Sequence, residues 1–560
     1  MAPATAQPRA GGQGLPPRAG QGEAPAAEGT SAIRGQIVAA DTGSPIRRAQ
    51  VRAASPDARA SRVTITDAEG RFEIASLPAG RYTVTASKGG FVTLQYGQRR
   101  PGESGNQLDL GEDEVLDKVV LPLPRGSVIA GRIVDEYGDP VTNADVMALQ
   151  YRYLAGARRL VPGTGSSRGR TDDQGSFRLF GLTPGEYTVS ATLREGQGAA
   201  NANLEADEPS GYAPTYYPGV PNISEAQHLT LGVGQEQTNI SFGLLLTRLV
   251  RVSGRVVDSR GMPAARGAVM LLPADTLRTG MGGMNAGGTA VRGDGTFQFP
   301  GIAPGNYLLF VRPGGGGGRG GFGGALGDGE FARLPITVGM DDLRDVFVAT
   351  APGAVAQGTV TTDTGQPLPA QGRQVGITAV GADPSSPVGS TPARMADDGT
   401  FELRGLSERR LIRVNAPAGW YLKSVLLDGA DVTDTPIDFM PGTTSSSLRV
   451  VLTETTTELS GTVIDGRGEP VLDAAVVVFA ADEAAWTYQS RFIQAARPDQ
   501  DGRYRMRNLP PHTDYRIVAV QGLEDGQAGD PDFLRSIARD AERLTLAEGE
   551  VKSVDVRVPE

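Results

Sequence analysis

The chain has 560 residues, including 77 glycines and 39 prolines, with no cysteine, two histidines and a formal net charge of −10. That length is a prior for about three to five domains. The missing cysteine removes disulfides, thiol nucleophiles, zinc-thiolate sites and iron–sulfur clusters, while the acidic balance argues against a nucleic-acid binder. No run of eighteen apolar residues occurs, so no transmembrane helix is expected.

Residues 1–30 are mostly Ala, Pro, Gly and Gln, with hardly a large apolar side chain. Such a segment buries too little surface to offset its ordering entropy and is expected to be disordered. Ala4-Thr5-Ala6 has the form of a signal-peptidase site, but the charged and apolar regions that precede one are missing. It reads either as the remnant of a secretory signal or as a chance match in an Ala-rich tail.

From residue 31 one pattern recurs five times. Each copy opens on an apolar-x-Gly-x-apolar strand, at 33–37, 129–133, 252–256, 356–360 and 459–463, centred on Gly35, Gly131, Gly254, Gly358 and Gly461. A Gly-x-Pro turn follows, at Gly43, Gly138, Gly261, Gly365 and Gly468. Glycine there supplies positive φ, and proline fixes φ and withholds a donor. Next comes Gly-x-Phe/Tyr with an aspartate just ahead: Asp67 before Phe72, Asp172 before Phe177, Asp294 before Phe297, Asp398 before Phe401 and Asp501 before Tyr504. That is hairpin chemistry. An apolar corner residue stands seven positions after that glycine: Leu77, Leu182, Ile302, Leu406 and Leu509. The first three corners read LPAGRY, LTPGEY and IAPGNY, the fourth departs as LSERRL, and the fifth is one residue longer, LPPHTDY. Alternating runs such as Tyr82-Thr-Val84-Thr-Ala86 then give one buried and one wet face, as in an antiparallel sheet.

These spacings predict an all-β protein of five tandem Greek-key β-sandwiches after the tail, at 31–125, 126–249, 250–352, 353–456 and 457–560. The third carries Gly-rich loops at 280–288 and 314–329, which are expected to be disordered. The fifth carries a helix over 532–544, capped by Asp530-Pro531, with Phe533, Ile537 and Leu544 on one face.

The order strand, GxP, D..GxF, LPxGxY, strand resembles the carboxypeptidase regulatory-like domain, a prealbumin-like (transthyretin-like) sandwich grouped with carbohydrate-binding-like folds. The resemblance extends over all five copies. Three longer stretches also look like multi-domain bacterial proteins of that kind: residues 212–218 (YAPTYYP), 419–424 (GWYLKS) with 431–434 (DVTD), and 530–534 (DPDFL). The resemblance implies secretion or surface exposure and no intrinsic catalysis, and it fixes no ligand.

No catalytic, cofactor or metal residue is assigned. His228 and His512 supply no ligand pair, and His512 takes a glycine slot in a corner. Gly165-Ser166-Ser167-Arg168-Gly169 matches the nucleophile-elbow expression, yet it lies in a loop leading to a hairpin. Asp499-x-Asp501-Gly502 lacks the acids an EF-hand needs and reads as a turn, as does Asp294 in Arg292-Gly293-Asp294. The remaining contact candidates are aromatics suited to sugar stacking, Tyr212, Tyr216, Tyr217, Trp420, Tyr421, Trp486 and Tyr488, whose alternative is a core or corner place. The expected function is a non-catalytic secreted or cell-surface scaffold. Its alternatives are a polysaccharide binder and a periplasmic partner of an outer-membrane complex.

Overall fold

The computed structural model describes residues 29–55, 60–154, 156–193, 210–264, 267–274, 287–313, 330–368, 375–383, 391–417 and 419–559. Residues 1–28, and 280–286 and 314–329 of the Gly-rich loops, lie outside these. Gly287 and Gly288, expected in a loop, instead begin the strand Gly287–Ala290 and pair with Leu271 and Met270.

Five hydrophobic cores follow one another along the chain, drawn from residues 33–123, 129–244, 250–348, 354–452 and 459–556. Each lies between two sheets, and the fold is all-β. The period-two pattern does the sorting: along Arg71–Leu77, Phe72, Ile74 and Leu77 are buried while Arg71 and Glu73 are exposed.

One sheet of each sandwich is built around the opening strand: Ser31–Ala39, Ser127–Val134, Val250–Val257, Ala354–Thr362 and Glu458–Ile464. The Gly-x-Phe/Tyr strand pairs with it antiparallel on one side. The closing strand pairs with it in parallel on the other. Alternation reports which face is buried and not which way a neighbour runs, so this direction differs from the antiparallel expectation.

The parallel pairing explains the central glycines. In the first, third and fourth copies the register slips just before the glycine. The slip drives a carbonyl of the closing strand against it. A Cβ on Gly35 would stand 1.9 Å from the Val119 oxygen, on Gly254 2.1 Å from that of Val346, and on Gly358 2.3 Å from that of Leu448. The hairpin aromatic covers the same spot, with Phe72 Cε1 2.9 Å and Phe401 Cζ 2.6 Å from those positions.

The corner tyrosines tie the second sheet to its turn. Tyr82, Tyr187, Tyr307 and Tyr515 donate to the carbonyls of Pro78, Thr183, Ala303 and Pro510, each at 2.8 Å. In the fourth copy Arg410 takes that place. It faces Ile437 across the sheet as Tyr82 faces Leu108. It is fully buried, and its Nε donates to the Ser407 carbonyl at 2.9 Å and its Nη1 to that of Ala379 at 3.2 Å. Burial holds its pKa below the usual guanidinium value.

The expected helix is shorter than 532–544. It spans Pro531–Ile537, with the Asp530 carboxylate accepting from the Asp532 amide at 3.1 Å. Leu534 is the residue it buries, against Ala475, Val477, Phe479 and Val518 on the outer face of the fifth sandwich. Leu544 lies instead on the strand Glu542–Thr545, paired with Tyr515.

Candidate functional site

The fifth sandwich folds back onto the first and second. Between Leu94–Gln95 and Leu108–Leu110 the first sandwich throws out a loop fixed by two glutamines. Gln98 accepts from the Gln95 amide at 2.6 Å, and Gln95 accepts from the Gly105 amide at 3.2 Å. That loop presents Glu103, which meets Arg497 of the fifth sandwich at 3.2 Å, the two side chains 7% and 4% exposed. Asn106 Nδ2 donates to the Leu472 carbonyl at 2.9 Å. The Gln500 carboxamide accepts from the Asp109 amide and donates to its carbonyl, both at 3.1 Å, as a strand partner would. The Asp525 amide donates to the Gly102 carbonyl at 2.7 Å, and Arg99 pairs with Asp473 at 2.6 Å on the rim.

The contact with the second sandwich is made of backbone. A Cβ on Gly156 would stand 2.6 Å from the Gly529 oxygen, and one on Gly526 2.7 Å from the Tyr153 oxygen. Only glycine permits that approach, so the docking is written into both partners.

Where the three sandwiches meet, two adjoining cavities of about 570 and 260 Å³ share Arg152, Thr164, Thr183, Gly102 and Asp525. Phe91 and the half-exposed Phe180 line the larger. Arg152 comes from the strand Asp145–Leu154 and Phe180 from Ser176–Leu182. Thr183 is already bonded to Tyr187 at 2.9 Å, whereas the buried Thr164 hydroxyl finds no partner among the described residues. A third cleft of about 490 Å³ lies between the first and fifth sandwiches beside Arg497. An 860 Å³ groove runs over the outer face of the fourth sandwich, where Gln357 donates to Glu402 and Ser447 to Asp428.

The junction was not foreseen from the sequence, and none of the aromatic candidates lines its cavities. Trp486 is 7% exposed, donates from Nε1 to the Ala480 carbonyl at 2.8 Å and packs edge-on against Phe479. Its ring is used in the core, the alternative that the sequence left open for these aromatics, and not as a sugar-stacking face. Tyr217 packs edge-on against Phe242, Tyr216 lies against Leu149 and Leu160, and Tyr212 donates to Glu136 at 2.6 Å. Trp420 packs partly buried on the fourth core, Tyr421 is half-buried on the strand Tyr421–Leu427, and Tyr488 accepts from Gln489 at 3.2 Å.

The three longer stretches have structural places. Residues 210–213 pair with 245–248. Residues 421–427 extend one sheet of the fourth sandwich and lead to Asp434, which receives Arg491 of the fifth at 3.0 and 2.6 Å and Arg413 at 3.6 Å. Burial pushes Arg413 below the usual guanidinium value, against the pull of Asp434. Residues 530–534 begin the helix.

The other motifs are absorbed by turns. Ser167 Oγ donates to the Gly163 carbonyl at 2.6 Å, Asp294 accepts from the Thr296 amide at 3.0 Å, and Asp499 accepts from the amides of Asp501 and Arg503, both at 2.9 Å. His228 Nδ1 meets the Thr188 hydroxyl at 3.1 Å.

Residues 32–120 and 128–216 each match the family model of the carboxypeptidase regulatory-like domain. The chain carries tandem domains of this type. Both regulatory-like domains contribute to the junction, the first through Glu103 and Phe91 and the second through Arg152 and Phe180. No curated protein matches the chain. Among solved structures, a streptococcal ancillary pilin is 15% identical, covering 57% of this chain and 98% of its own, at a TM-score of 0.20. The major pilin subunit of Bacillus cereus is 11% identical, covering 77% and 99%, at 0.15. Catechol 1,2-dioxygenase from an Acinetobacter species is 14% identical, covering 18% and 52%, at 0.12.

Proposed function

We propose that this protein is a non-catalytic, secreted or surface-exposed interaction scaffold that presents a ligand cleft where its first, second and fifth sandwiches meet. The docking of the fifth sandwich onto the two regulatory-like domains carries the reading. Cavities at domain junctions are where ligands are preferentially held, and this one is walled by three separately folded cores. The tandem regulatory-like domains support a role in presentation.

The test is thermal-shift screening of the full chain against small acids, glycans and peptides, run beside a broad panel of hydrolase and oxidase substrates. The expected result is stabilisation by at least one ligand class, lost in Arg497→Glu, with no turnover; a bound ligand raises stability by mass action. Turnover above the blank, or a ligand shift that is unchanged in Arg497→Glu, overturns the reading.

A further inference from the structure

Buried and half-buried arginines at the joints of this chain are answered by protein oxygens: Arg491 by Asp434, Arg413 by the carbonyls of Thr433 and Gln489, and Arg497 by Glu103. Arg152 differs. It is half-buried and lines both junction cavities, and its guanidinium has no hydrogen-bonded or ion-paired partner among the described residues. The Thr164 hydroxyl, on the wall of the same two cavities, is buried and unpartnered as well. Both residues line the same two cavities, and a guanidinium fork with an unpartnered hydroxyl is a donor set that suits an oxyanion.

The remaining walls narrow the choice. Phe91, Val92, Leu94 and Phe180 give the larger cavity an apolar side. Asp525 lines both cavities, and an acidic residue in the wall disfavours a second negative charge there. We propose that the junction cleft binds a small organic monocarboxylate with a flat apolar body, its carboxylate on Arg152 and Thr164 and its body against Phe91 and Phe180. A volume of about 570 Å³ falls within the usual range for small-molecule sites. This inference rests on the closed arrangement of the scaffold proposed above.

The test is calorimetric titration of the full chain with benzoate and 2-naphthoate, and with benzamide and inorganic phosphate as probes lacking one feature each. Both carboxylates are expected to bind, naphthoate more tightly, and benzamide and phosphate to give no heat. Arg152→Gln is expected to weaken binding on the order of tenfold to a hundredfold, the range of a charge-assisted pair. Phe180→Ala is expected to weaken naphthoate more than benzoate, while Arg158→Gln, on the smaller cavity alone, leaves both unchanged. Melting curves of each variant separate lost binding from lost fold, and Thr164→Val gives a milder second probe should Arg152→Gln fail to fold. Equal binding of benzamide, binding of phosphate in place of the carboxylates, or unchanged affinity in Arg152→Gln overturns the proposal. Silence from every probe also overturns it. If labels at positions 99 and 473 then report a closed chain, the ligand assignment alone falls, and if they report an open one, the arrangement falls with it.

Discussion

Glu103 and Arg497, 394 positions apart in the chain, share a buried ion pair that holds the fifth sandwich on the first. Two Arg497 nitrogens, Nε and Nη1, reach no acceptor among the described residues, so Glu103 is the carboxylate that answers this cation. Removing one partner of such a pair strands a buried charge, at a cost of about 3–5 kcal/mol. The rest of the contact consists of polar bonds and exposed rim pairs, which add little.

Arg497→Glu is therefore expected to open the first sandwich from the fifth while leaving the five cores folded. Because the chain lacks cysteine, spin labels introduced at Arg99→Cys and Asp473→Cys report that distance alone. A short distance in the parent chain should lengthen and broaden in Arg497→Glu, and return in the charge-swapped pair Glu103→Arg with Arg497→Glu. A distance that does not move in Arg497→Glu removes the clasp.

Strand order, turns and corners were legible in the sequence because each is a local rule repeated five times. Gly-x-Pro and Asp-then-Gly act over a few residues, and alternation reports burial directly. The reason for the central glycines was not legible, since it lies in a carbonyl about 84 positions away in the first copy and about 90 in the fourth. The fourth corner shows the same limit. Leu411 aligns with the tyrosine by sequence, but Arg410 fills its place because the turn is one residue tighter, with Glu408 at a φ of 63°. The junction was hidden for a stronger reason: Glu103, Arg497 and Gly529 belong to no repeated pattern, and only the path of the whole chain brings them together. Between the two places open to Trp486 the sequence could not choose, because an indole in a loop region reads the same whether it faces solvent or turns inward.

Two glycines of the fourth sandwich separate crowding from backbone conformation. Gly358 has no room for a methyl group, whereas Gly365 has open space and a φ of +78°. Gly358→Ala is expected to lower stability by about 3 kcal/mol or more through overpacking. Gly365→Ala should lose only about 1–2 kcal/mol, the strain of the left-handed region. Chemical denaturation of the two variants checks the order; equal losses would refute the crowding account.

Asp434 joins the fourth and fifth sandwiches by accepting from Arg491 on both oxygens while standing near Arg413. With Asp434→Ala two half-buried guanidiniums face one another with carbonyls for partners and no carboxylate between them. The side chains are 17–26% exposed, so solvent screens part of the effect, and a loss of about 2 kcal/mol at this joint is expected. Calorimetry should show the unfolding of these two sandwiches separating into distinct transitions. A single transition at the parent temperature would mean that Asp434 does not couple them.

Tyr307 gives the alkaline edge of stability a named origin. Burial pushes its phenol up to about 12, from an ordinary value of 10.0, and its hydroxyl donates to the Ala303 carbonyl at 2.8 Å. A raised folded pKa means that the folded chain holds the proton longer than the unfolded chain. The contribution is complete below pH 10 and is lost as pH rises through about 12, amounting to roughly 2–3 kcal/mol. Tyr504 and Tyr515 are also pushed up by burial, so they steepen the same decline. Tyr307→Phe is expected to lower stability at neutral pH by about 1 kcal/mol, the worth of the lost hydrogen bond. The same change should flatten the fall between pH 10 and 12 relative to the parent chain. Urea midpoints measured at intervals across that window decide it: parallel curves for parent and variant would mean that Tyr307 ionises as freely in the folded chain as in the unfolded one.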